Sequence, residues 1–184
     1  YWLKVHEIPL GGRLAKGKPI VNLVQMEKGE IITAFCRVRE FVADKFIVFA
    51  TKQGVIKKVA LDAFSHPRVT GVNAIALPIE DELIEASLTD GSFDIVLATR
   101  QGMAIRFNEE KVRAMGRTAY GVKGINLAKK DYCIGMVVVK RDSTLLTICE
   151  NGHGKRTSID DYRITNRGGK GIINIKTTER NGEV

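Results

Sequence analysis

Apolar positions along this chain fall in short runs and not in the every-third-or-fourth spacing of a helix face. Ile32-Thr33-Ala34-Phe35-Cys36-Arg37-Val38 is the first run, rich in residues that favour extended backbone, and Lys45-Phe46-Ile47-Val48-Phe49-Ala50-Thr51 follows. Gln53-Gly54 reads as a tight turn into Val55-Ile56-Lys57-Lys58-Val59, which makes a hairpin. A polar loop carrying Pro67 and Gly71 leads to a short fourth strand near 73–77. The same reading predicts strands at 83–88, 94–99, 103–107 and 123–127, then at 133–139, 145–149, 154–158 and 172–175. Little helix is expected.

The pattern repeats. Ala50-Thr51-Lys52-Gln53-Gly54, Ala98-Thr99-Arg100-Gln101-Gly102 and Ile148-Cys149-Glu150-Asn151-Gly152 align without gaps, their glycines 48 and 50 residues apart. A second landmark recurs as Gly17…Leu23, Gly71…Leu77, Gly121…Leu127 and Gly169…Ile175, with spacings of 54, 50 and 48. Four strands per unit of about 50 residues is the signature of a propeller-type array of four-stranded antiparallel blades, an all-β fold. A single β-sandwich of a dozen strands is the alternative, but a sandwich has no reason to repeat these glycines. On this register the chain divides into 1–27, the end of one blade; 28–78, 79–128 and 129–176, three blades; and 177–184, the start of another. Tyr1–Val5 matches the third strand of a unit, so the array is expected to be incomplete at both ends, a piece of a longer one.

Composition narrows the function. At 44% apolar the 184 residues can bury a core, and no run approaches the ~20 apolar residues that span a bilayer. The first residues lack the regions of a signal peptide. Three cysteines, Cys36, Cys133 and Cys149, are odd in number and far apart, which argues against a disulfide scaffold. A cytoplasmic protein without membrane contact is expected.

The charge adds more, because of where it lies. Lys and Arg total 29 against 21 acids, a net +8. Segments 1–23, 52–72, 100–124 and 150–171 carry +3, +3, +4 and +2, whereas 73–99 alone carries −6. In a radial repeat, equivalent segments occupy equivalent places, so recurring cations form a belt. After the turns come Lys57 and Lys58, Arg106, and Lys155 and Arg156, with Lys4 in the first partial unit. Near the second glycine come Arg13, Lys16 and Lys18; Arg68; Arg113, Arg117 and Lys123; and Arg163, Arg167 and Lys170. Such a belt suits the phosphates of double-stranded DNA. Taken singly, each is equally well a solvated strand residue. With no helix for the major groove, and the 12 aromatics mostly at core positions, contacts of little sequence preference are expected.

Catalytic signals are weak. Gly12-Arg13-Leu14-Ala15-Lys16-Gly17-Lys18 fits the start of a P-loop, but Pro19 stands where Ser or Thr would hold Mg²⁺. His6, His66 and His153 lie in different units, and Cys149 with His153 lacks a second ligand pair for zinc. Neither a catalytic residue nor a cofactor is expected in this chain.

Tyr1-Trp2-Leu3-Lys4-Val5-His6-Glu7-Ile8-Pro9, Gly17-Lys18-Pro19-Ile20-Val21-Asn22-Leu23, Val112-Arg113-Ala114-Met115-Gly116-Arg117, Gly152-His153-Gly154-Lys155-Arg156-Thr157 and Gly171-Ile172-Ile173-Asn174-Ile175-Lys176-Thr177-Thr178-Glu179-Arg180-Asn181-Gly182 resemble the C-terminal domain of bacterial DNA gyrase A. The resemblance runs through essentially the whole chain. It implies a β-pinwheel, a disc whose neighbouring blades exchange strands, with a basic rim that wraps DNA for ATP-dependent negative supercoiling. It implies as partners gyrase B and the core of gyrase A, with ATP and Mg²⁺ bound elsewhere in the parent enzyme, a type II DNA topoisomerase. That family carries a box, Gln-Arg-Arg-Gly-Gly-Lys-Gly, in its first blade. Asn166-Arg167-Gly168-Gly169-Lys170-Gly171 reproduces only its end, in a later blade, so a piece lacking the box is expected to bind DNA but wrap it poorly. The matching domain of topoisomerase IV, and a propeller that binds an acidic protein, stay open as alternatives.

Overall fold

The computed structural model describes residues 1–140 and 142–184. Ten strands among the described residues form three antiparallel sheets: β1 (Phe46–Thr51), β2 (Val55–Ala60), β3 (Leu83–Thr89), β4 (Asp94–Thr99), β5 (Met103–Asn108), β6 (Val122–Lys123), β7 (Cys133–Val139), β8 (Thr144–Ile148), β9 (Gly154–Ser158) and β10 (Ile172–Ile173). Among the described residues the only helices are 3-10 turns of three or four residues. The first two hairpins close in the same way. The Thr51 carbonyl accepts from Gly54 N at 2.9 Å and its hydroxyl from Val55 N at 3.2 Å. Thr99 serves Gly102 and Met103 alike, at 3.0 and 3.2 Å.

The sheets do not coincide with the repeat. The first runs β3-β1-β2-β6 and the second β7-β4-β5-β10, so each central hairpin takes both outer strands from the following repeat. The exchange is regular to the residue. A register shift sits between Ala50 and Thr51 where β1 meets β3, and between Ala98 and Thr99 where β4 meets β7. β3 and β7 pack beside each other as inner strands, and β6 and β10 form the outer edges. This strand-exchanged, all-β array is a β-pinwheel. The β8–β9 hairpin forms a sheet of two strands.

The core lies between the sheets. Val48, Ile56, Ile95, Leu97, Phe107 and Ile125 are closed off from solvent, each stabilising the fold by roughly 1.5–3 kcal/mol relative to exposure. A second cluster behind β4 and β5 is partly polar. Buried Tyr162 donates to Asn174 Oδ1 at 2.6 Å, and the Asn174 amide donates to Thr147 Oγ1 at 2.9 Å.

Three sequence expectations need correction. Ile32–Val38 and residues 73–77 form no strand, and Tyr1–Val5 is not a third strand but enters a 3-10 turn, Val5–Glu7. The reason is the exchange: the outer strands of a repeat pair with the hairpin of the preceding one, and among the described residues no hairpin precedes Ile32. The strand expected at 123–127 is the two-residue β6, and that at 172–175 is the two-residue β10. The last landmark also shifts. Val122 pairs with Ile56, and Ile172 with Ala104, 48 residues on, so Gly171 and not Gly169 is the counterpart of Gly121.

Candidate nucleic-acid interface

Two loops, 112–121 and 162–171, cross the outer halves of the sheets before entering β6 and β10. Met115 N donates to the Lys58 carbonyl at 2.8 Å, and Thr165 N to the Arg106 carbonyl at 2.8 Å, the two contacts being equivalent in the repeat. Each loop also joins its predecessor. Ala76 N donates to Ala119 O at 3.2 Å, Gly168 N to Gly124 O at 2.6 Å and Asn126 N to Gly169 O at 2.8 Å. Successive outer edges are thus stitched into one continuous rim.

The rim carries one set of the expected cations. Arg68, Arg113, Lys123, Arg163 and Lys170 are exposed, and Arg117 and Arg167 are half-buried. Arg167 bridges loops, its Nε donating to Lys111 O at 2.9 Å and its Nη1 to Lys123 O at 3.0 Å. Gly121 and Gly171 let the loops lie this close. Both have positive φ (129° and 76°), and a Cβ would stand 2.7 Å from Ile56 O or 2.2 Å from Ala104 O. In the N-terminal segment Lys4, Arg13, Lys16 and Lys18 are exposed, and Lys4 and Arg68 line one groove of about 530 Å³ between residues 1–7, 21–25 and 67–69.

The cations just after the turns divide differently. Lys57 is wholly buried, and its ammonium donates to the carbonyls of Ala74, Arg117 and Ala119 at 2.7, 2.5 and 2.7 Å. Burial pushes its pKa down to about 8. Lys58, also buried, donates to Glu109 O at 2.9 Å, beside the Glu109 carboxylate and over the Phe46 ring. Arg106 is held by Asp94 at 2.8 Å and by the Ile159 carbonyl at 2.7 Å. These three residues therefore leave the belt: their charges bind the following repeat and face no solvent phosphate. Lys155 and Arg156, at the same strand positions in β9, are exposed.

Sequence reading missed a pair of buried aspartates 50 residues apart. Asp81 Oδ1 accepts from Gln53 N and Glu82 N, each at 2.9 Å, and Asp131 Oδ1 from Gln101 N and Tyr132 N at 3.0 and 2.9 Å. Each fixes a hairpin turn against the repeat that follows. Asp81 Oδ2 also accepts from the Tyr120 hydroxyl at 2.6 Å, and burial together with that carboxylate pushes the phenol up to about 12. Their common spacing from Gly71 and Gly121 was the available signal. Among the described residues no group of three His, Cys, Asp or Glu gathers in metal-binding geometry, and no helix is long and apolar enough to cross a membrane.

A family model for the DNA gyrase C-terminal domain, a β-propeller, matches residues 1–36, 45–90, 94–140 and 143–184. The chain is 46% identical over 184 residues to the A subunit of DNA gyrase from Salmonella typhimurium, covering 100% of this chain and 21% of that protein. It is 46% identical over 187 residues to the corresponding Staphylococcus aureus protein, which it also matches over 100% of this chain and 21% of the relative. The chain thus spans about a fifth of the length of these relatives. Among solved structures, a DNA gyrase A C-terminal domain superposes with a TM-score of 0.82 at 26% identity, covering 92% of this chain and 57% of that one. A C-terminal domain of DNA topoisomerase IV gives 0.83 at 25% identity, covering 91% and 52%.

Proposed function

This chain belongs to the DNA gyrase C-terminal domain family, and from that premise we propose that it is a non-catalytic module that binds double-stranded DNA along its outer rim with little sequence preference. The observation that carries the reading is the recurrence of solvent-facing cations on stitched rim loops, above all Arg113 and Arg163, 50 residues apart and both exposed. Cations fixed at regular intervals on a curved edge match a polyanion that bends over it. The elastic cost of the bend is a few kcal/mol, offset by added phosphate contacts. The rim suits contacts to the DNA backbone, since among the described residues no helix longer than four residues is present to enter a groove.

In the longer protein the bound segment would be presented to the cleavage core of gyrase A and its gyrase B partner, for supercoiling driven by ATP and Mg²⁺ at sites on those parts, in the bacterial cytoplasm. Gyrase is favoured over topoisomerase IV because the matching family model is that of the DNA gyrase C-terminal domain and gyrase A proteins match at 46% identity; the solved domains, at 26% for gyrase and 25% for topoisomerase IV, do not separate the two. Binding to a duplex of ~40 base pairs, followed across a salt titration, tests the reading. A log–log slope steeper than about −4 is expected from several phosphates contacted at once. A slope near zero, or equal binding to an acidic protein, would remove DNA binding from this chain.

A further inference from the structure

The two rim loops present different residues at one position. Tyr120 immediately precedes Gly121, and Lys170 immediately precedes Gly171, the structural counterpart of Gly121. Tyr120 reaches inward, and its hydroxyl satisfies the second oxygen of buried Asp81. Lys170 is exposed, and Oδ2 of Asp131, the counterpart of Asp81, is buried with no hydrogen-bond partner among the described residues. The two aspartates are otherwise held alike, each capping the turn of the preceding hairpin through Oδ1. Asp131 is 9% exposed, so its second oxygen has lost water without gaining a donor, a state that favours any donor able to reach it. An extended lysine side chain is about as long as a tyrosine, and the pairing of Ile172 with Ala104, two residues past Lys170, is equivalent to that of Val122 with Ile56, two residues past Tyr120.

We propose that Lys170 is a two-position residue: exposed in this structure, its ammonium also turns inward to Asp131 Oδ2 while no DNA is bound and is drawn outward to a phosphate when DNA lies on the rim, so that Asp131 sets how available Lys170 is. The outward position rests on the DNA-binding reading above; the inward one does not. The first repeat, with Tyr120 at this place, has no such choice and serves as an internal control. Asp131 acts only through Lys170 and is a positioning residue.

Two measurements test this. Without DNA, urea unfolding of Asp131→Asn, Lys170→Met and the double variant should show coupling, the second substitution moving the midpoint much less once the first is present. Lys170→Tyr, which copies the first repeat, should keep the midpoint well above that of Lys170→Met. Additive effects, or a Lys170→Tyr midpoint as low as that of Lys170→Met, would overturn the inward position. With a ~40-base-pair duplex, Asp131→Asn should bind roughly 3- to 10-fold more tightly, a gain absent in the Lys170→Met background and absent in Asp81→Asn. An unchanged affinity in Asp131→Asn, while the unmutated chain binds DNA, would overturn the exchange. If the unmutated chain binds no DNA, the proposed function falls and the outward position with it, whereas coupling in urea would still establish the ion pair.

Discussion

β2 and β9 occupy the same place in their repeats, and each carries two adjacent cations three and four residues past the turn glycine, Lys57-Lys58 and Lys155-Arg156. In β2 both are buried and fixed on carbonyls of residues 74–119. In β9 both are exposed. The strands themselves hardly differ. What differs is the cover: loop 112–121 lies over β2, whereas among the described residues no outer strand pairs with β9. A position in the repeat determines which face of a strand a side chain occupies, but the next repeat determines whether that face is interior or solvent.

The widest contrast should come from reversing the two lysines. Lys57→Glu sets a carboxylate against three carbonyls out of reach of water, a loss on the order of 3–5 kcal/mol from a total stability of roughly 5–15 kcal/mol. Lys155→Glu should stay within about 0.5 kcal/mol. Urea unfolding of the two variants decides the matter, and equal midpoints would break the comparison. A smaller effect separates two glycines of one rim loop. Gly121→Ala combines a positive φ with a Cβ 2.7 Å from Ile56 O, and should cost about 1–3 kcal/mol. Gly116, whose added Cβ meets nothing within 4 Å, should accept alanine within about 0.5 kcal/mol. Comparable thermal midpoints for the pair would show that the loop does not lie tightly on β2.

The smallest effect is one of pH. With its pKa lowered to about 8 in the folded state, Lys57 loses its proton before the unfolded chain does. Between about pH 8 and 10 the unfolded state therefore binds more protons, and this residue's contribution to stability rises with pH. Comparing urea midpoints of the unmutated chain and Lys57→Met at pH 7 and pH 10 isolates that contribution: the unmutated chain should gain on the variant at the higher pH. A constant gap would place the ammonium in water, and a shift in favour of the variant would mean that the carbonyls raise its pKa instead; either result overturns the desolvated lysine.

The hairpins were legible because their signals are local: an apolar run, a glycine turn and a second run within 15 residues, as in 46–60. The all-β class and the 50-residue period followed from the same marks. The exchange of outer strands was not legible from spacing, since Lys123 pairing with Val55 leaves no trace near either residue. That is also why Ile32–Val38 read as a strand: its composition suits one, but a ladder needs the hairpin of a preceding repeat, and none lies among the described residues. Arg113 and Arg163 could be named from the sequence because loops seldom bury a charge. Lys57, Lys58 and Arg106 could not be told from them, because a lysine bound for three carbonyls has the same letter as one bound for water. The slip from Gly171 to Gly169 arose from Gly168-Gly169-Lys170-Gly171, where three glycines fit one landmark.

The exchanged strands have a consequence for synthesis. The first hairpin is complete at Ala60, yet its sheet waits for Lys123, and the second, complete at Asn108, waits for Ile173. A chain emerging from the ribosome therefore always trails one unfinished blade, whose hairpin edges stay open until another repeat of polypeptide has been made. Each new repeat closes the one before it and opens its own, so the array is finished from its N-terminal side forward, one blade in arrears.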